Sequence, residues 1–200
     1  MTITDLAPTT FSIPTLETER MFLRAMRADD IEAEVAFFQT ERSRSVGGPL
    51  PQAQVWRAVA GMIGHWALRG FGFWALEEKT TGAYLGRAGL WCPDPWPEPE
   101  IGWTLMDHAE GKGFAREAAL AARGYAYDTL GWTTAISLIL AGNTRSEALA
   151  HRLGARREGE YLHPTVGAMN VWRHPGPGQV PGQTPGQTPG NPDTADWRPQ

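Results

Sequence analysis

The sequence predicts a mixed α/β sheet built in the order β-α-α-β-β-β-α-β-α-β. Three observations carry that expectation. Short apolar, β-rich runs alternate with stretches whose apolar residues fall at helical spacing. Two of the runs, Phe71–Leu76 and Ala83–Trp91, flank the turn Thr80-Thr81-Gly82 and so form a hairpin. A pair of glycines, Gly111 and Gly113, joins a strand to an alanine-rich helix.

The elements follow in order. Met21–Ala25 is the first strand. Asp29-Asp30 offers an N-cap to a helix carrying Ile31, Val35 and Phe38. Pro51 opens a second helix, in which Trp56, Val59, Ile63 and Trp66 recur at helical spacing, and Gly70–Gly72 ends it. After the hairpin, Pro93, Pro95, Pro97 and Pro99 impose an extended connection. Glu100–Met106 is a strand, and Phe114–Leu130 a long helix closed by Gly131. Thr133–Ala141 is a strand, and Ser146–Leu153 a short helix stopped by Gly154. Arg156–Leu162 and Met169–Arg173 are weaker final strands. Trp56, Trp66, Trp74, Trp103 and Trp132 are assigned to core faces.

Residues 1–14 are read as an N-terminal extension, 15–174 as the domain and 175–200 as a tail. Seven of the sixteen prolines lie from Pro175 onward, within four-residue repeats such as Pro181-Gly182-Gln183-Thr184. Such a composition cannot bury apolar surface, so a disordered spacer is expected rather than a docking ligand.

At 200 residues the chain is long enough for one well-filled core. Its net charge of −4 supplies no global basic surface for nucleic acid. The single cysteine, Cys92, excludes an internal disulfide and suits a reducing compartment. Met1–Pro14 lacks the basic start and apolar run of a secretory signal, and no stretch reaches membrane-spanning length. A cytoplasmic protein with no membrane partner, a monomer or homodimer, is expected.

The segment Glu110-Gly111-Lys112-Gly113-Phe114-Ala115 carries the chemistry. Glycines let successive amides converge on an anion, and the helix start adds partial positive charge. The implied ligand is a phosphate or pyrophosphate, although the glycines taken alone equally suit a plain turn. A P-loop is excluded, because Lys112 is followed by Gly113 instead of Ser or Thr. A dinucleotide fingerprint fails at Arg116, and Gly70-x-Gly72-x-x-Ala75 precedes a strand where that motif needs a helix.

Five stretches in order resemble the GNAT acetyltransferase superfamily, most closely its ribosomal-protein alanine acetyltransferase branch (RimJ/RimL-like). They are Leu16–Arg24, Gly70–Leu76 with Leu85–Leu90, Glu100–Leu105, Glu110–Ala115 with Glu117-Ala118, and Asn143-x-x-Ser146 followed by Leu153-Gly154. The resemblance spans roughly residues 15–173. It implies a mostly antiparallel sheet flanked by helices, with a bulge in Glu100–Met106 and a parallel neighbour, Thr133–Ala141, splayed from it. It further implies acetyl-CoA as co-substrate and an amine as acceptor. Leu105 and Met106 would pair with the pantetheine arm, and a backbone N–H near Leu105 would polarise the thioester. The amides of Glu110, Gly111, Lys112, Gly113, Phe114 and Ala115 would hold the pyrophosphate, with Asn143 and Ser146 downstream.

Two positions depart from the family. Glu110 stands where Gln or Arg is usual, and Lys112 is the expected offset to its charge. Ala150 stands where many members carry a tyrosine acid, leaving Ser146 or a water to protonate the thiolate. Glu100 is the candidate base; the plain alternative is an exposed or ion-paired strand residue. His108 is a second candidate beside the plain reading of a solvated loop histidine, and His65 is assigned to packing. Trp91 and Trp96 flank the proline run, where an acceptor would be recognised. Asp107-His108 has no ligand partners at useful spacing, so no metal is expected. A non-catalytic acyl-CoA-binding sensor is the alternative function.

Overall fold

The computed structural model describes residues 10–164 and 166–179; the expectations for residues 1–9 and 180–200 lie outside these. The described elements are β1 (Leu16–Glu17), β2 (Met21–Arg24), α1 (Asp30–Phe38), α2 (Gln52–Arg69), β3 (Phe73–Glu78), β4 (Tyr84–Trp91), β5 (Glu100–Leu105), α3 (Phe114–Gly124), β6 (Ile136–Leu140), α4 (Thr144–Arg152), β7 (Arg156–His163) and β8 (Gly167–Arg173). They form one eight-stranded mixed sheet in the order β1-β2-β3-β4-β5-β6-β8-β7. The expected order lacked β1 and wrote a single closing strand, whereas the two weak final runs, Arg156–Leu162 and Met169–Arg173, are the separate strands β7 and β8. Only β5 and β6 run parallel; every other neighbouring pair is antiparallel.

One sheet face carries Trp74, Leu76, Ala88, Leu90, Ile101 and Leu105 against Phe114, Ala118, Ala119 and Ala122 of α3. The small alanine side chains let this helix approach closely while burying its apolar stripe. The other face packs Ala75 and Tyr84 against Met26 and Val59. There a buried Glu34 on α1 pairs with Arg87 of β4 and accepts from Tyr84. Asp29 makes no capping bond; Asp30 Oδ2 instead takes the Arg27 N–H at 2.7 Å, and its two oxygens hold Arg24.

Two local expectations are corrected. Trp56 is 58% exposed, and the buried stripe of α2 is Val55, Val59, Met62 and Trp66. Val59 and Trp66 lie on the buried stripe as expected, whereas Trp56 and Ile63 each sit one position past a buried residue, Val55 and Met62. β3 starts at Phe73, two residues later than expected. Trp66 Nε1 donates to Phe73 O at 3.0 Å, and its ring lies where a Gly72 Cβ would stand, 2.6 Å away. Past α3 the helix continues as a π-wound turn, Tyr125–Thr129, before Gly131.

Candidate active site

β5 and β6 share one pairing, Glu100 opposite Ile136, and then part. Side chains occupy the ladder beyond it. Ser137 Oγ donates to Ile101 O at 2.6 Å, and the Leu138 N–H reaches Glu100 Oε1 at 3.3 Å. A side chain between two backbones holds them wider than a direct amide–carbonyl pair. Ser137 also meets His174 Nε2 at 2.9 Å, and His174 lies 3.5 Å from buried Arg123. Burial, then the nearby guanidinium, pushes the His174 pKa down to about 3. The expected bulge in the strand before the loop is not found there. β4 and β5 keep unbroken register from Gly86–Leu105 to Trp91–Glu100, and the irregularity falls between β3 and β4 at Leu76/Glu77.

The gap between the diverging ends of β5 and β6 opens a cleft of about 1200 Å³. Its walls are the end of β5, the loop into α3, the start of α4 and the 3-10 turn Glu41–Val46. Leu105, Glu110, Gly111, Gly113, Phe114, Ala115, Asn143 and Ser146 all line it, whereas Met106, Lys112 and Glu100 do not. The Met106 N–H is already given to Leu85 O at 2.9 Å, and its side chain packs with Phe37, Phe38 and Val55. Antiparallel pairing alternates, so the Leu105 N–H, one residue earlier, points away from β4 and into the gap.

Gly111 and Gly113 adopt φ of +73° and +85°, a region that L side chains avoid. These turns aim the following amides outward. The first amide of α3 with a helical acceptor is that of Glu117, on Gly113 O at 3.2 Å. The amides of residues 111–116 donate to no acceptor among the described residues. They form a cradle at a helix start, and nothing lies within 4 Å of a Cβ built on Gly111. Asn143 Oδ1 caps α4 by accepting the Ser146 N–H at 3.3 Å, which gives that sequence pair a structural role as well.

Comparison with known proteins bears on this arrangement. A family model described as an acetyltransferase (GNAT) domain matches residues 20–156. The chain belongs to the GNAT acetyltransferase family. The chain is thus an acyl-CoA-dependent acetyltransferase by family. It is 26% identical over 151 residues to an uncharacterised N-acetyltransferase of Bacillus subtilis, YoaA, covering 73% of this chain and 85% of that one. An acetyltransferase structure from Agrobacterium tumefaciens superposes with a TM-score of 0.76 at 33% identity, covering 84% of this chain and 98% of that one. The structure of RimL, a ribosomal L7/L12 α-N-protein acetyltransferase in complex with coenzyme A, shares the fold at a TM-score of 0.66 and 17% identity, covering 80% of this chain and 97% of that one.

The acetyltransferase holds its loop by residues that sequence reasoning missed. Arg20, between β1 and β2, donates through Nη1 to Lys112 O at 2.9 Å and pairs with Glu117 at 2.7 Å. Its guanidinium also stacks on Phe114, 4.4 Å from the ring centre. Both partners stood in the stretches that carried the family resemblance, but nothing in the sequence said they meet. The charge of Glu110 is met by Arg42 and Arg145, not by Lys112. Ala150 is fully buried against Ile139 and Ala155 and offers no proton. His108 is exposed, and His65 is buried, its Nδ1–H donating to Phe71 O and its Nε2 accepting the Cys92 N–H.

Glu100 sits at the closed end of the gap, 8% exposed. Burial raises its pKa to about 7, against the opposing pull of donors from Trp96 Nε1 and Leu138 N. Such a group changes charge near neutral pH, as a general base should. Trp96 lies against it and faces His163 at 5.0 Å. Among the described residues no set of three or more His, Cys, Asp or Glu is placed to hold a metal.

Proposed function

We propose that the chain transfers the acetyl group of acetyl-CoA to a primary amine by direct attack while both are bound. The observation that carries this is the cradle of uncommitted amides at residues 111–116, opening into a cleft between two parting parallel strands. The amides take the pyrophosphate. The pantetheine arm runs along the free edge of β5, as an added strand would, and the Leu105 N–H polarises the thioester carbonyl.

In the reaction the neutral amine attacks the thioester carbon, the C–S bond breaks and coenzyme A leaves as a thiolate. Alignment of the two bound reactants supplies much of the rate. The proton lost by the amine passes to Glu100, directly or through water. Ser146, on the cleft wall, or a water returns a proton to the thiolate. A thiol pKa near ~8.5 makes that second transfer undemanding, so Ala150 in place of a tyrosine does not block turnover. Trp96 guides the acceptor. RimL acts on a protein α-amine, which supports a peptide N-terminus as acceptor; a small amine is the other class.

A second reading is a non-catalytic acyl-CoA sensor, favoured by the buried Ala150 and the carboxylate Glu110 at the loop. Thiol release measured with acetyl-CoA and a panel of amines, including peptides with free N-termini, separates the two. Turnover with at least one amine is expected. Acetyl-CoA binding with no thiol release across the panel would establish the sensor.

A further inference from the structure

The chain carries a net charge of −4, yet Arg42, Arg44, Arg116, Arg145 and Arg152 line one cleft with only Glu41 and Glu110 as carboxylates. Glu41 is spent on Arg44. Arg116 and Arg152 make no ion pair among the described residues. Such a concentration of cations focuses anionic ligands.

Within it, two arginines from different walls converge on one carboxylate. Arg42 comes from the turn after α1 and Arg145 from the first turn of α4, and both pair with Glu110. Glu110 stands immediately before the amide cradle. We infer that Arg42 and Arg145 are a side-chain subsite for a phosphoryl group of the ligand, and that Glu110 is an internal anion which this group displaces. The inference rests on the acetyl-CoA reading of the same cleft.

The two contacts differ in a way that suits an exchange. The Arg145–Glu110 pair is 3.1 Å long with side chains 72% and 36% exposed, so water screens it and little holds it. Arg42 is 25% exposed and is also fixed by Asp107 and by Leu105 O at 3.2 Å. It stays in place when Glu110 moves, while Arg145 is released. A phosphate monoester carries roughly −1.5 to −2 charges and three acceptor oxygens, so it outcompetes a single carboxylate for a guanidinium. The carboxylate also repels the incoming phosphate.

Calorimetry on the wild type, Glu110→Gln, Arg145→Ala and the double variant tests this, with coenzyme A, 3′-dephospho-coenzyme A, pantetheine and inorganic pyrophosphate as probes. Glu110→Gln should bind coenzyme A at least fivefold more tightly, and Arg145→Ala at least fivefold more weakly. In the Arg145→Ala background most of the Glu110→Gln gain should vanish. Pantetheine, without phosphate, should bind all four alike. A gain that disappears with 3′-dephospho-coenzyme A assigns the subsite to the 3′-phosphate; one that persists assigns it to the pyrophosphate. Unchanged or weaker coenzyme A binding by Glu110→Gln, or an equal change with pantetheine, overturns the inference. Pyrophosphate separates the two readings. If the wild type binds no coenzyme A, the acetyl-CoA reading fails, while tighter pyrophosphate binding by Glu110→Gln upholds the arginine subsite and its absence overturns it.

Discussion

Arg20 gives the sharpest test of how the loop is held. Arg20→Met keeps an aliphatic cover over Phe114 and removes the donors. Besides the guanidinium's stacking on Phe114, three polar contacts are lost: the pair with Glu117 at 2.7 Å through both Nε and Nη2, and the bond to Lys112 O at 2.9 Å. The backbone N–H of Arg20 still reaches Glu117 Oε1. The ion pair is only half-buried, with side chains 41% and 19% exposed, so it belongs near the upper end of surface pairs, at about 1 kcal/mol. The carbonyl bond adds about 1 kcal/mol. A loss of about 2 kcal/mol lowers Tm by roughly 4–8 °C in a chain of this size. The loop it anchors is the proposed cofactor cradle, so on that proposal part of the energy returns as affinity. If half does, acetyl-CoA binds about fivefold more weakly. Differential scanning calorimetry and acetyl-CoA titration read the two effects, and the acceptor KM should not move. A lowered Tm with unchanged acetyl-CoA affinity would refute the idea that Arg20 shapes the cradle.

Two further predictions concern protons. Burial, reinforced by Arg123, depresses the His174 pKa from 6.5 to about 3, so the unfolded chain binds the proton first as pH falls. Stability is therefore intact above 6.5 and drains below it, by about 2 kcal/mol at pH 5 for this group alone. His174→Gln should flatten the denaturation midpoint against pH over that window; an unchanged slope would rule His174 out. For Glu100, activity should rise with pH through about 7 as the buried carboxyl ionises. Glu100→Gln should lose that limb and about a hundredfold in kcat. A preserved limb would remove Glu100 as the base.

The loop was legible in the sequence because its signal is local. Gly111 and Gly113 adopt positive φ between a strand and an alanine-rich helix, as their spacing implied; the ligand they are proposed to hold came from the family resemblance. The parting of β5 and β6 was expected only by family resemblance. Its physical agents, Glu100 and Ser137, act by entering a ladder between segments 36 to 38 residues apart, which no local pattern reveals. The same distance hides Arg20 with Glu117, 97 residues apart, and Arg42 with Glu110, 68 apart. Lys112 was the natural partner for Glu110 by proximity in sequence, and the fold passed it over for two arginines. Trp56 was misplaced for a different reason: a helix with apolar residues on several sides does not announce which one is buried.

The amides of residues 111–116 are proposed to hold the pyrophosphate of acetyl-CoA. Calorimetric titration of acetyl-CoA into the wild type and Gly113→Asp tests it most directly, with thermal denaturation confirming that the variant folds. Gly113 sits at φ +85°, so the new side chain strains the turn, and its Cβ stands 3.4 Å from Arg20 Nη2, which sets a carboxylate beside the loop and draws Arg20 from Lys112 O. Binding by the wild type and none by a folded Gly113→Asp is the predicted result. Equal affinity in both proteins would contradict the claim.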